Sequence, residues 1–207
     1  MLKNYLILLS LILSLPLFSQ KETLETIDAK SVKAIQIYAD EVYSINIETY
    51  EGSEIVIATR SDGEYYNRIM LNAEIRNKKL ILSTHFPETL SGGYDKLSAH
   101  KVFSLELQLK IPAGLRLYIE SNLASVTAAG EFEFLELRLN QGFCELRDFS
   151  GNGNVQTIMG NISVETRNTR IEAESRNGKV DLPLSQNGGK LLKLTSVNGD
   201  ISLRKTK

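Results

Sequence analysis

The feature that most constrains this chain is a repeat in its last third, over residues 115–203. Ala124, Gly142, Gly160 and Gly178 are spaced by eighteen residues, and Gly199 follows after twenty-one. Two positions beyond these five lie Val126, Cys144, Ile162, Val180 and Ile201; four beyond lie Ala128, Leu146, Val164, Leu182 and Leu203. All are apolar, and the residue between each pair is polar: Thr127, Glu145, Ser163, Asp181 or Ser202. Five positions before the reference point come Ile119, Leu137, Val155, Ala173 and Leu194. Such self-similarity marks stacked copies of one supersecondary unit, none able to bury its apolar face alone.

Within one copy the apolar period is two, interrupted once near the reference residue, so each copy is two short strands with a bend between them. Strands of successive copies then pair in parallel at about 4.8 Å, and parallel crossovers in one sheet are almost always right-handed. The expected fold is therefore all-β, a right-handed parallel β-helix with coils of about 18 residues. A left-handed form would need apolar residues every six positions, which these columns do not supply. Asn177-Gly178 and Asn198-Gly199 lie in bends, where positive φ is expected and glycine is favoured. The three additional residues of the last copy fall within 184–189. Stacking in chain order places Ile201 and Leu203 on the final rung, followed by a basic polar tail at 204–207.

Four segments are expected along the chain. Residues 1–19 read as a secretory signal peptide: Lys3 is followed by an apolar run interrupted only by Ser10, Ser14 and Pro16, with cleavage after Ser19. The run is shorter than the roughly 20 residues of a spanning helix, so the mature chain is expected to have no transmembrane span. Residues 20–33 are polar and expected to be a flexible N-terminus. Residues 34–111 form an N-terminal region of alternating strands that caps the solenoid. Glu51-Gly52 there reads as a hairpin turn and 86–101, with Ser91-Gly92-Gly93, as a long surface loop. Residues 112–207 carry the solenoid repeats, continuous with what precedes them.

The net charge of −1 gives no basic face of the kind nucleic acid requires. The single cysteine, Cys144, allows no internal disulfide. Its column is otherwise apolar, so it reads as a small buried hydrophobe.

The strand end Lys110-Ile111-Pro112-Ala113-Gly114 and the bends Ser175-Arg176-Asn177-Gly178-Lys179-Val180 and Ser196-Val197-Asn198-Gly199-Asp200-Ile201 resemble the bacterial putative-adhesin domains of unknown function. The resemblance covers about 34–203, and departs from the family pattern at Ala124 and Met159. It implies an exported β-helical protein with a surface or periplasmic binding role and no chemistry of its own.

A catalytic β-helix would need clustered carboxylates, or a base beside Arg or Lys, on one outward face. The outward column four positions before the reference point reads Glu120, Arg138, Gln156, Glu174 and Thr195. Its mixed signs describe a solvated face, and Glu172 with Glu174 is the one shared carboxylate surface it offers. His85, His100 and Asp95 lack the fixed spacing of a metal site. No Ser-His-Asp set, phosphate loop or calcium-binding repeat is found, so no catalytic residue, metal ligand or cofactor is assigned. The aromatic pair Tyr65 and Tyr66, beside Asp62 and Gly63, is the candidate binding site, since stacked tyrosines grip sugars or peptides. The resulting expectation is a non-enzymatic cell-envelope module whose partner is an envelope protein or a surface glycan. The alternative is a small carbohydrate-active enzyme, a lyase or hydrolase acting on polysaccharide.

Overall fold

The computed structural model describes residues 20–40, 42–62, 70–85, 104–166, 168–183 and 188–204. Apart from a 3-10 turn at Ala29–Ser31, every regular element among them is a strand. The first seven are β1 Gln20–Asp28, β2 Ala34–Tyr38, β3 Val42–Tyr50, β4 Glu54–Asp62, β5 Met70–Arg76, β6 Lys79–His85 and β7 Ser104–Pro112. Then come β8 Arg116–Ser121, β9 Ser125–Gln141, β10 Cys144–Met159 and β11 Ile162–Thr166. The last four are β12 Thr169–Ser175, β13 Val180–Asp181, β14 Lys190–Ser196 and β15 Ile201–Arg204. All fifteen join one curled sheet of mixed direction.

The sheet contains two ladders. One runs β5-β6-β2-β8, then the second halves of β9 and β10, then β14 and β12. The other runs β1-β4-β7-β3, then the first halves of β9 and β10, then β11, β15 and β13. Strands β9 and β10, with 17 and 16 residues, belong to both ladders and so join them.

The sequence columns are the structural columns. Ile119, Leu137, Val155, Leu194 and Ala173 lie side by side across the first ladder. Val126, Cys144, Ile162, Ile201 and Val180 do so across the second. Alternation sends these residues to the enclosed side, and all but Ala173 and Val180 are buried. The region before residue 112 is built the same way. Ile35 and Ile37 pair with Leu117 and Ile119 on one side and with Leu80 and Leu82 on the other. Ile45 and Ile47 align with Val126 and Ala128, and with Leu107 and Leu109. The N-terminal region that the sequence presents as a cap continuous with the repeats supplies two further units of the same stack.

Several expectations are corrected. The units do not stack in chain order: β14 lies between β10 and β12, and β15 between β11 and β13. The transposition follows side-chain size. Leu192, Leu194 and Ile201 gain neighbours on both sides and are fully buried, whereas the smaller set with Ala173 and Val180 takes the outer place, Val180 remaining 41% exposed. Glu51-Gly52 does not join a hairpin, because β7 lies between β3 and β4. Pairing is antiparallel in β1–β4, β4–β7 and β5–β6, so the sheet is not uniformly parallel. Residues 20–28, expected to be flexible, form the strand β1 along β4, where Thr23 and Thr59 share a hydroxyl contact. The segments 1–19, 86–103 and 205–207 lie outside the described residues.

The bend glycines are also there for a different reason. Among the described glycines, φ is positive at Gly114, Gly130 and Gly142, but not at Gly160, Gly178 or Gly199. What these three need is room. A Cβ on Gly160 would sit 1.8 Å from the Gly142 carbonyl oxygen. One on Gly199 would sit 1.9 Å from that of Gly160, and one on Gly178 2.1 Å from that of Gly199. The series repeats the transposed order of the units, 142-160-199-178.

Gly160→Ala and Gly199→Ala should each lower stability by about 1–3 kcal/mol, since the obstacle is backbone and cannot swing aside. Gly189→Ala, with nothing within 4 Å of its Cβ position, should change stability little. Urea denaturation of the three variants checks the contrast.

Candidate functional site

A groove of about 500 Å³ runs across the outer face of the first ladder, at right angles to the strands. Its position follows from alternation: residues next to the buried columns point to solvent. Register aligns one row as Tyr38, Glu120, Arg138, Gln156 and Thr195, drawn from β2, β8, β9, β10 and β14. A second row, at the bend, consists of Asp40, Asn122, Asn140, Ile158 and Val197. Five rungs at the usual strand spacing make the groove about 19 Å long.

Hydrogen bonds fix its floor. The Asn122 amide donates to Asp40 Oδ1 at 2.9 Å, and the Asn140 amide donates to Asn122 Oδ1. Below them, the Ser121 hydroxyl is buried, donates to the Ala39 carbonyl at 2.6 Å and accepts from the Ala124 N–H at 3.0 Å. The buried Thr157 hydroxyl donates to the Gly160 carbonyl at 2.9 Å and lies 3.0 Å from that of Ser196. Buried polar groups satisfied in this way hold a bend to one geometry. Along the rim, Arg138 donates to Glu136 at 2.5 Å within its own strand. Tyr38 and Ile158 expose apolar surface at opposite ends, at 47% and 48% of their area.

The second ladder carries a depression of about 540 Å³ on its outer side. Leu24, Val56, Ala58 and Ala129 give it an apolar lining, with Lys110 and Arg147 at its margin. The Arg147 guanidinium donates to Glu145 at 2.6 Å and holds that carboxyl below its ordinary range, with Arg204 adding to the effect at 3.7 Å. That ion pair secures the outer face of β10; the depression carries a polar row of its own, Gln108, Asn46 and Thr127, without buried hydroxyls among the described residues fixing a bend beneath it as in the first groove.

Tyr65 and Tyr66 lie outside the described residues, as do His100 and Asp95. His85 ends β6. Among the described residues no three His, Cys, Asp or Glu side chains converge as metal ligands would. Glu172 faces Arg170 at 3.3 Å on the outward side of β12, an exposed pair of the kind that contributes little. Cys144 is buried between Val126 and Ile162. Burial pushes its thiol well above the ordinary range, and the neighbouring Glu145 charge pushes the same way. It is a core residue.

The sequence named Glu120, Arg138, Gln156 and Thr195 as one outward column. It did not place Tyr38 beside them, because 34–38 read as part of a cap. The available signal was the Ile35-x-Ile37 pair, which matches Leu117-x-Ile119 position for position. Transposition of the last two units also sets Thr195, and not Glu174, next to Gln156.

No family model and no curated protein matches the chain. Solved structures do. A putative cell adhesion protein from Clostridium sporogenes is 14% identical, with a TM-score of 0.53, over 91% of this chain and 100% of its own. A putative adhesin from Parabacteroides distasonis is 13% identical, with a TM-score of 0.33, over 90% of this chain and 93% of its own. The first likeness establishes a shared fold across nearly the whole chain. The likeness seen in the bends thus extends to the architecture, and the class it defines is the all-β fold shared with that Clostridium protein. Among the described residues no helix is long and apolar enough to cross a membrane.

The native protein should resist a bulky thiol reagent, with Cys144 becoming reactive only in denaturant, because its sulfur is both enclosed and held as the thiol. Rapid stoichiometric labelling without denaturant would contradict this packing.

Proposed function

We propose that the protein is a non-enzymatic binding module of the cell envelope, exported after cleavage behind Ser19, and that the groove on the first ladder holds its partner. The observation that carries this reading is the row Tyr38, Glu120, Arg138, Gln156 and Thr195, set on a floor of satisfied hydrogen bonds. A surface fixed in this way loses little entropy on binding. The description of the Clostridium protein as a putative cell adhesion protein supports a binding role. That partner is an envelope protein or a surface glycan. The matching fold reading is a right-handed parallel β-helix with an antiparallel N-terminal end, supported by the usual hand of parallel crossovers.

The test is cell fractionation with mass spectrometry of the N-terminus, followed by binding of purified 20–207 to isolated envelopes. The chain should begin at Gln20 outside the cytoplasm and sediment with envelopes. Tyr38→Ala should weaken that association at least tenfold, while Arg147→Ala on the other face leaves it unchanged. An intact leader on a cytoplasmic chain, or envelope binding indifferent to Tyr38, would overturn the reading.

A further inference from the structure

We propose that the groove binds a linear, uncharged pyranose oligosaccharide of about four units laid across the strands, about one unit to each 4.8 Å spacing between rungs. This rests on the groove being the partner-binding face.

The direction of the groove excludes the commonest way of binding a peptide. Strand addition needs a sheet edge and a ligand parallel to the strands. Here the ligand must cross β2, β8, β9, β10 and β14, whose main-chain groups already serve one another in the ladder. Only side chains face it, and they recur once per strand. A polymer with one rigid polar ring per repeat suits such a row, because the rung spacing is close to the length each ring adds to an extended β-linked chain.

The side chains suit that polymer chemically. A sugar hydroxyl both donates and accepts, so it is best met by groups offering both functions. Gln156, Thr195, Asn122 and Asn140 do so, and Glu120 accepts from hydroxyl pairs. Tyr38, 47% exposed at one end, offers an aromatic face to the C–H side of a ring, with its own hydroxyl still in water. Ile158 and Val197 provide an apolar platform at the other end.

Charge decides the class of sugar. Among the described residues, Asp40 and Glu120 line the groove, and the one cation of the lining, Arg138, already pairs with Glu136 at 2.5 Å. An acidic polymer would place its carboxylates against this surface with no free cation among the described lining residues, and such like-charge contact opposes binding. A neutral chain meets no such cost.

The experiment is titration calorimetry of 20–207 with chitohexaose and cellohexaose as neutral probes and hexagalacturonate as the acidic one. At least one neutral hexamer should bind, and its disaccharide at least tenfold more weakly. Hexagalacturonate should also be at least tenfold weaker. Tyr38→Ala and the double variant Asn140→Ala/Gln156→Ala should each reduce affinity at least tenfold, Tyr38→Phe should retain it, and circular dichroism should be unchanged in all. Preference for hexagalacturonate, absence of binding by both neutral hexamers, or saccharide binding unaffected by Tyr38→Ala would overturn the proposal. Envelope fractions distinguish failure of the sugar assignment from failure of the groove as the binding face. If Tyr38-dependent envelope binding survives periodate but not protease, the groove binds protein and the sugar assignment falls alone. If envelope binding ignores Tyr38, the groove reading falls with it.

Discussion

The whole architecture depends on the close approach of one unit's bend to the next. Gly142, Gly160, Gly199 and Gly178 pass beneath neighbouring carbonyl oxygens with no space for a Cβ, the tightest built distance being 1.8 Å. That proximity keeps both ladders in register, since each bend is the pivot between a strand of the first ladder and one of the second. Before Gly160, Gly178 and Gly199, small hydroxyl residues three positions earlier complete the joint. Ser175 donates to the Gly199 carbonyl at 2.7 Å, and Thr157 to that of Gly160 at 2.9 Å. The bends are therefore held by sterics and by hydrogen bonds from within, with the amide ladder outside.

Much of this was legible in the chain. The apolar columns, the buried Cys144 and the bend positions follow from period and spacing alone, because a residue that must face a closed interior leaves a mark at a fixed interval. Order within the stack was not legible. Every unit presents the same columns, so periodicity cannot say which unit lies beside which. Only the difference in bulk between Leu192, Leu194, Ile201 and Ile171, Ala173, Val180 distinguishes inner from outer place. The N-terminal units escaped the repeat for a related reason. Ile35 to Ile45 spans ten residues, against nine from Leu117 to Val126, and the extra one is absorbed in a bulge near Val42. Glycine at the bends was expected for its dihedral freedom, but at Gly160, Gly178 and Gly199 the missing side chain is what counts.

The groove inherits its character from the stack. A row read as a merely solvated face becomes a continuous surface once Tyr38 joins one end and Thr195 follows Gln156. Neither residue is notable alone. Parallel register brings residues distant in sequence, such as Tyr38 and Glu120, into adjacent positions, and repetition supplies the regular spacing. Binding surfaces of repeat proteins arise in this way: invariant residues build the rungs, and variable outward positions set recognition.

The central claim is the transposed order of the last two units, and paired cysteines test it directly. Ser163 of β11 lies opposite Ser202 of β15, while Asp181 of β13 lies beyond Ser202. Neighbouring strands, about 4.8 Å apart, are within disulfide reach, and strands two rungs apart are not. Under mild oxidation the variant Ser163→Cys/Ser202→Cys should form its internal bond quantitatively, and Ser163→Cys/Asp181→Cys should remain reduced. The reverse pattern would mean that the units stack in chain order, contradicting both the register and the glycine series built on it.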